Sequence, residues 1–286
     1  MGAVRLLQGM VNPKQISGHV EVAGALAAAG RALGIDSSVL LSDYQHFALA
    51  TQGPIRVETN DRYDRLSIMA LRGEMRPEER PVRAEFLEMT ALPGDEETRV
   101  IDHAIGRELP ETDFKTLLDH GVHNEVLTEL AKRVRVLSPK LETSGWTHVH
   151  RDPTPWRLHV RIDKRDPAGS SKVLELAERI GVTQPQQRLL SRVHPVLSKH
   201  RSVLVTLPTA ASRLPAAMQV SYPEVEEDNI LRLLSGIFPD APHGKRLGGF
   251  VGAIHSRQLP TLTLELGDEE PVGFRFAIEM PAGEGA

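Results

Sequence analysis

The alternation of apolar and polar side chains over residues 155–163 is the feature that most restricts how this chain can fold. Apolar residues at Trp156, Leu158, Val160 and Ile162 alternate there with Arg157, His159, Arg161 and Asp163. Successive side chains of a β-strand point to opposite faces, so such a strand has one apolar and one basic face. The apolar face must pack against a hydrophobic layer, and the basic face must be solvated, ion-paired or bound to an anion.

The same alternation recurs along the chain and predicts a sheet with one apolar and one polar face. The further segments with this pattern are 55–58, 65–71, 82–89, 145–150, 203–207, 217–222, 250–256, 261–266 and 272–280. They come in pairs that suit antiparallel hairpins, and helical patterns fall between the pairs. The predicted helices are 20–33, 111–120, 125–136, 173–180, 184–190 and 224–234. Residues 91–110 carry no clear pattern.

Hairpins separated by helices predict an α+β fold made of α-β-β-α repeats, not a doubly wound sheet. If the sheet closes, the helices ring an antiparallel β-barrel whose polar faces line a lumen. An open sheet with helices on one side fits the same pattern. We expect a single domain over residues 1–286, with residues 1–16 as a flexible arm.

Composition excludes several classes of protein. The chain has no cysteine, so disulfides, thiolate metal sites and cysteine nucleophiles are excluded. Acidic residues number 38 against 34 basic ones, which argues against a nucleic-acid partner. No segment reaches the roughly 18 consecutive apolar residues of a membrane span, and no signal-peptide pattern is present, so we expect no membrane partner and a cytoplasmic location. GxGxxG, GxxxxGK[ST] and GxSxG motifs are absent.

The order of these segments resembles that of the ABBA-fold prenyltransferases, most closely the cyanobactin-type peptide prenyltransferases. The stretch Arg157-Leu-His-Val-Arg-Ile162 is similar to a family strand of the form basic-apolar-His-apolar-Arg-Ile, and it follows Leu137-Ser138 at a similar distance. Near the N-terminus the order is also similar, with a helix, a Phe-containing segment, a glycine, the acidic Glu58 and a strand opening with Arg65. Later segments that match the layout are 203–207 and 273–276.

The resemblance implies a closed barrel in which an allylic diphosphate is ionised and its prenyl group passes to a peptide side chain or a small aromatic acceptor. Charge on the diphosphate must be neutralised as it develops, and arginine presents a planar fork to phosphate oxygens. The residues assigned to the diphosphate on this basis are Arg65, Arg157, His159, Arg161, Lys245 and Arg275.

The resemblance also implies a carboxylate and an apolar pocket. Glu58 aligns with the acidic strand residue of the family, which acts as a base or stabilises the allylic cation. Members shield that cation with aromatic side chains, but this chain has only 3 Tyr, 7 Phe and 2 Trp. The pocket for the prenyl group and acceptor is therefore assigned to Met69, Met218 and Tyr222, with Tyr63 as a further contributor.

No metal site held by the protein is predicted. His148 and His150 would share one strand face, but two imidazoles are too few for a closed zinc site. Mg²⁺ bridging a diphosphate needs few protein ligands, so the resemblance is compatible with Mg²⁺ as a cofactor. No organic cofactor is expected, and no oligomeric state is predicted.

Two further interpretations stay open. A non-catalytic barrel that binds an anionic ligand or a peptide in a biosynthetic pathway is favoured by the scarcity of aromatic residues. The clustering of arginines on one face favours the interpretation as a prenyl-transferring enzyme. For the single residues, a solvated strand face with a ladder of surface ion pairs accounts for the same alternation.

Overall fold

The computed structural model describes residues 13–47, 51–60, 62–72, 83–91, 99–107, 142–149, 156–166, 168–199, 201–209, 217–237, 243–254, 259–267 and 273–280. The helices in these ranges are α1 (Pro13–Leu33), α2 (Ser38–Phe47), α3 (Gly169–Arg179), α4 (Gln184–Leu197), α5 (Glu227–Ile237) and α6 (His243–Ile254). The strands are β1 (Thr51–Asn60), β2 (Leu66–Arg72), β3 (Arg83–Ala91), β4 (Arg99–Arg107), β5 (Glu142–Val149), β6 (Trp156–Ile162), β7 (Val203–Thr209), β8 (Met218–Tyr222), β9 (Thr261–Leu266) and β10 (Gly273–Met280).

Every strand pairs antiparallel with its neighbours in chain order, and β10 returns to pair with β1. The pairing therefore forms a closed barrel in which each strand has two neighbours. In the register of β1, Glu58 lies opposite Ser67 of β2 and Ala277 of β10. The combination of helices with an antiparallel sheet, predicted from the alternation, is confirmed.

Apolar strand positions and helix faces form one core. The side chains of Val57, Val160 and Val220 are fully buried, at 0% exposure, as alternation predicted. Helix α3 buries Val173, Leu176 and Ala177, whose spacing puts them on one face of the helix. The apolar strand face thus lies against the helices, and the polar face lies on the other side of the sheet.

Two predicted helix ends are confirmed by glycines with left-handed backbone. Gly34 follows α1 with φ of +77°, and Gly181 follows α3 with φ of +85°. L-residues with a Cβ disfavour this region, so glycine ends a helix there at low cost. No helix in the described part of the chain is both long and apolar enough to cross a membrane.

Several predicted elements differ from the structure. Helix α1 begins at Pro13, so residues 13–16 of the predicted arm are helical. The segment 250–256 was predicted as a strand, but residues 243–254 form helix α6. Strand β4 lies within the stretch where no pattern was found. The predicted helices at 111–120 and 125–136 lie outside the described residues.

Candidate functional site

The polar strand face forms one continuous surface, called the polar wall below. Cross-strand register makes its members neighbours from β2 through β1, β10, β9, β8 and β7 to β6. Its members with described side chains are Arg56, Glu58, Asn60, Arg65, Ser67, Met69, Arg157, His159, Arg161, Leu204, Thr206, Pro208, Gln219, Ser221, Thr261, Thr263, Glu265, Gly273, Arg275, Ala277 and Glu279.

Much of the polar wall is enclosed. Ser67 is 2% exposed, Thr206 5% and Thr263 2%, although all three are polar and lie on the face away from the helices. An open, solvated sheet face would leave such short side chains accessible to water. Arg161 and Glu279, by contrast, are exposed near the end of the barrel where β6 and β10 end. The wall therefore runs from a solvated rim to a buried interior.

Glu58 is a buried carboxylate held by two guanidinium groups. Its side chain is 8% exposed, and Arg56 Nη2 donates to its Oε2 at 3.1 Å. Arg275 Nη1 donates to its Oε1 at 2.9 Å across the β1–β10 pairing. Because a buried charge is costly unless it is paired, these two contacts make the position of Glu58 tolerable. They also engage both of its oxygens.

Arg275 connects this cluster to a second carboxylate, Glu265. Arg275 Nε lies 2.7 Å from Glu265 Oε1, and Gln219 Nε2 donates to the same oxygen at 3.2 Å. Glu265 is 41% exposed and lies beside Gly273, its register partner on β10. A polar chain therefore crosses four neighbouring strands, from Arg56 on β1 to Gln219 on β8.

The β6 side of the wall is basic. Arg157 and His159 are half-buried, and Arg161 is exposed. The His159 ring is fixed by a 2.9 Å hydrogen bond between its Nδ1 and Thr206 Oγ1 on β7. The register partner of Arg161 on β5 is Glu142. The predicted basic residues of β6 are thus brought together on one face, and Arg157 and His159 are partly shielded from water.

Arg65 joins the wall just before β2. Its Nε donates to Ser67 Oγ at 2.9 Å, and its carbonyl oxygen accepts from Thr59 Oγ1 at 2.7 Å. Met69 of β2 is half-buried on the same face, opposite Arg56 in the register. Both predicted residues therefore lie on the wall.

The structure corrects the placement of four predicted residues. Met218 and Tyr222 belong to the apolar face of β8 and are 0% exposed, so they face the helices. Tyr63 is buried against Phe276, another residue of the apolar face, with the rings stacked at 6.2 Å. Lys245 is exposed on helix α6. Two-residue periodicity alone places Met218 and Tyr222 with Val220, on the side of the sheet opposite Gln219.

Tyr222 instead helps to hold a helix to the sheet. Its hydroxyl group lies 2.8 Å from Nδ1 of His194 on α4. Burial lowers the pKa of His194 to about 4 and raises the pKa of Tyr222 well above its usual value. Both groups are therefore neutral near pH 7, as expected for a structural hydrogen bond in the core.

Five wall residues that contact the predicted ones or one another were not predicted as site residues. They are Arg56, Ser67, Thr206, Gln219 and Glu265. Strand alternation places all of them on the polar wall, so the signal existed. It could not show which polar residues contact one another, because that depends on the register between distant strands.

The described residues do not fit a Mg²⁺ ion held by protein ligands. No three His, Asp or Glu side chains in the described ranges are grouped as metal ligands. Mg²⁺ takes carboxylate oxygens, and both oxygens of Glu58 accept hydrogen bonds from arginines.

Comparison with proteins of known structure shows a likeness of fold. No protein-family model matches the chain, and no curated protein matches its sequence. AnaPT from Neosartorya fischeri aligns with a TM-score of 0.67 over 96% of each chain, at 8% identity. The apo form of the prenyltransferase PriB aligns with a TM-score of 0.58 over 93% of this chain and 96% of PriB, at 11% identity. At these identities the likeness shows the fold alone.

Proposed function

We propose that this protein transfers a prenyl group from an allylic diphosphate, dimethylallyl or longer, to a peptide side chain or a small aromatic acceptor. The observation that carries the proposal is the polar wall, where arginines line an enclosed surface of a fold shared with the prenyltransferase PriB. A prenyl donor needs cations for its diphosphate and a site sheltered from water for its allylic cation.

The diphosphate is assigned to the β6 side of the wall. Arg157, His159 and Arg161 lie on one strand face, and Arg65 is a further basic residue of the wall. Charge-assisted hydrogen bonds from guanidinium groups to phosphate oxygens stabilise the leaving group as the C–O bond breaks. Arg275 is already engaged by two carboxylates, so we assign it to holding Glu58 and not to the donor.

Glu58 is proposed to stabilise the allylic cation. Both of its oxygens accept from arginines, so it presents negative charge without an open oxygen for a proton. Met69 remains our proposed contact of the prenyl chain, because it is the described apolar side chain beside Arg56 on the wall.

A binding protein is the second candidate function, and one observation favours it. Among the described side chains of the wall, none is Phe, Tyr or Trp, because Tyr63 and Tyr222 belong to the core. Without aromatic faces an allylic cation is less well stabilised. A barrel of this kind would hold an anionic ligand or peptide without cleaving it.

The test combines binding and turnover. Titration calorimetry with a non-hydrolysable dimethylallyl diphosphate analogue measures donor affinity, and mass spectrometry follows prenylation of tryptophan, tyrosine and peptides containing them, with and without Mg²⁺. We expect binding and a product one prenyl group heavier than the acceptor. Binding without donor cleavage favours the second candidate, and absence of diphosphate binding contradicts the proposed enzyme.

A matched variant makes the binding test specific. Arg192 is exposed on α4, away from the wall, and its replacement removes the same charge as Arg157→Ala. We expect Arg157→Ala to weaken donor binding at least tenfold and Arg192→Ala to leave it within twofold. Equal losses in the two variants would mean that only the net charge of the protein attracts the donor.

A further inference from the structure

We propose that Glu265 is the proton acceptor for the prenyl acceptor, and that Arg275, Gln219 and Gly273 position it. This inference rests on the proposed function and adds a residue that sequence reasoning did not assign. Alkylation of an N–H, O–H or aromatic C–H group releases a proton, which needs a base within hydrogen-bond reach. Among the wall residues whose side chains are described, the carboxylates are Glu58, Glu265 and Glu279.

Glu58 and Glu265 differ in how many carboxylate oxygens their contacts leave open. Glu58 is 8% exposed and each of its oxygens accepts from an arginine. Glu265 is 41% exposed, and both of its polar contacts are made by Oε1. Its Oε2 accepts no hydrogen bond from the described residues. Glu265 is therefore fixed through one oxygen and can receive a proton on the other.

Gly273 leaves space beside that oxygen. A Cβ atom at this position would lie 3.2 Å from Glu265 Oε2 and 3.5 Å from Glu265 Cβ. The 3.2 Å approach is tighter than ordinary van der Waals contact, so an added side chain would press on Oε2. The absence of a side chain at Gly273 keeps Oε2 accessible to a bound acceptor.

The register relates Glu265 to the proposed diphosphate site. Glu265, Gln219, Thr206 and His159 are successive cross-strand partners from β9 to β6. Three strand spacings of about 4.8 Å place Glu265 and His159 about 14 Å apart along the sheet. The donor diphosphate and the proton acceptor thus lie at opposite ends of one row, with the allylic carbon and the acceptor between them.

The proposed step is balanced in atoms and electrons. The bond between prenyl C1 and the diphosphate oxygen breaks, and its electron pair leaves with the diphosphate. The nucleophilic atom of the acceptor forms a new bond to the prenyl group. The proton that this atom loses passes to Glu265 Oε2 and later to water.

The central experiment compares Glu265→Gln with wild type in two reactions of the same donor. We expect prenyl transfer to fall about 100-fold or more, the usual scale for a lost general base. Donor cleavage by water, measured as prenyl alcohol and diphosphate, should stay within about twofold, because ionisation does not need this base. Glu265→Asp should restore part of the rate.

Matched variants test geometry and local charge. Glu175→Gln removes an exposed carboxylate from helix α3, away from the wall, and should leave transfer within twofold. Gly273→Ala should lower kcat about tenfold by pressing on Oε2. Gly267→Ala, whose added Cβ meets nothing within 4 Å, should leave kcat within twofold.

The outcomes separate this inference from the function on which it rests. If Glu265→Gln transfers within threefold of wild type, Glu265 is not the base, and prenyl transfer itself still stands. If transfer and donor cleavage fall together, Glu265 only holds Arg275 and the inference is wrong. If wild type neither transfers nor cleaves the donor, the proposed enzyme function fails and this inference fails with it.

Discussion

Arg161 and Val160 are adjacent on β6 but face opposite sides of the sheet. Arg161 is exposed on the polar wall, whereas Val160 is 0% exposed in the core. We expect Arg161→Ala to weaken binding of a non-hydrolysable allylic diphosphate about tenfold, since a hydrogen bond to a charged group contributes about 1.5–3 kcal/mol. Its melting temperature should change little, because exposed ion pairs contribute about 0–1 kcal/mol. Calorimetric titration and thermal melts measure the two effects.

Val160→Asp is the opposite variant and serves as the control. It places a charge in the layer between strand and helices, where desolvation is costly, so we expect loss of the folded state. Wild-type affinity in Arg161→Ala would remove this arginine from the site, and a folded Val160→Asp protein would contradict the assignment of faces.

Substitution of Glu58 tests the role of the buried carboxylate in the polar wall. We expect Glu58→Gln to keep the fold, because the new side chain is nearly isosteric and can still accept one hydrogen bond. The loss of ion pairing to Arg56 and Arg275 should lower the free energy of unfolding by about 1–3 kcal/mol. Turnover should fall about 100-fold as the allylic cation loses its facing charge. Chemical denaturation and steady-state kinetics measure these effects, and wild-type turnover would exclude a role for Glu58.

At the scale of elements, two glycines of helix α1 differ in their surroundings. Gly24 is exposed, and an added Cβ there meets nothing within 4 Å. At Gly30 the added Cβ would lie 2.6 Å from Ser37 Oγ and 2.9 Å from the Ile35 carbonyl oxygen. Gly24→Ala should therefore stabilise the protein by about 0.5–1 kcal/mol through helix propensity, and Gly30→Ala should destabilise it. Melts that rank the two variants in the reverse order would contradict the close approach at Gly30.

The hydrogen bond between α4 and β8 predicts a pH dependence of stability. Burial lowers the pKa of His194 to about 4, from 6.5 when exposed. Between pH 4 and 6.5 the unfolded state therefore binds more protons at this histidine than the folded state does. The contribution of His194 to the free energy of unfolding is fully present above pH 6.5 and is lost as the pH drops toward 4. We expect His194 to account for up to about 3 kcal/mol of this loss.

Two variants isolate that contribution, because burial also lowers the pKa of His19 and other groups titrate in acid. In His194→Gln the slope of unfolding free energy against pH should decrease between pH 6.5 and 4, as measured by urea denaturation. Tyr222→Phe should lower stability at all pH values by about 1 kcal/mol while keeping the slope. An unchanged slope in His194→Gln would mean that His194 binds protons equally in the folded and unfolded states.

Elements with clean alternation could be predicted from sequence, and those without it could not. Strand β6 alternates at every position and was predicted within one residue. The β4 sequence RVIDHAIGR has apolar residues at both odd and even positions, so it lacks the two-residue period. Residues 250–256 were predicted as a strand, although residues up to 254 belong to helix α6. The helical spacing of Leu247, Phe250 and Ile254 is visible only over a longer window.

The glycines of α6 are a second reason why its sequence did not predict a helix. An added Cβ at Gly249 would lie 3.2 Å from Ala32 Cβ, so the glycine allows α6 to approach α1 closely. Glycine lowers helix propensity by about 1 kcal/mol relative to alanine, which makes the segment read as non-helical. Tertiary packing outweighs that local preference.

At the scale of the whole molecule, the faces of the sheet were predictable and the contacts across it were not. Alternation placed Glu58 and Arg275 on one face of their strands, but 217 positions separate them in the chain. Their contact depends on β10 returning to β1, which no local pattern specifies. For the same reason Glu265 was not recognised, since its importance comes from its contacts with Arg275 and Gln219.

A ligand that binds at the polar wall should stabilise the whole folded protein. A ligand that binds only the folded state adds about 2.7 kcal/mol of stability at 100 times its Kd. For a chain of this size that corresponds to a rise in Tm of roughly 5 °C. We expect dimethylallyl diphosphate to raise the Tm of wild type, inorganic diphosphate to raise it less, and the prenyl alcohol to raise it hardly at all.

In Arg157→Ala the rise in Tm should be smaller at equal ligand concentration, and in Arg192→Ala it should be unchanged. High salt should weaken the effect of both diphosphates, because the contacts are largely between charges. A Tm that responds equally to diphosphate in the two variants would show that binding occurs outside the polar wall.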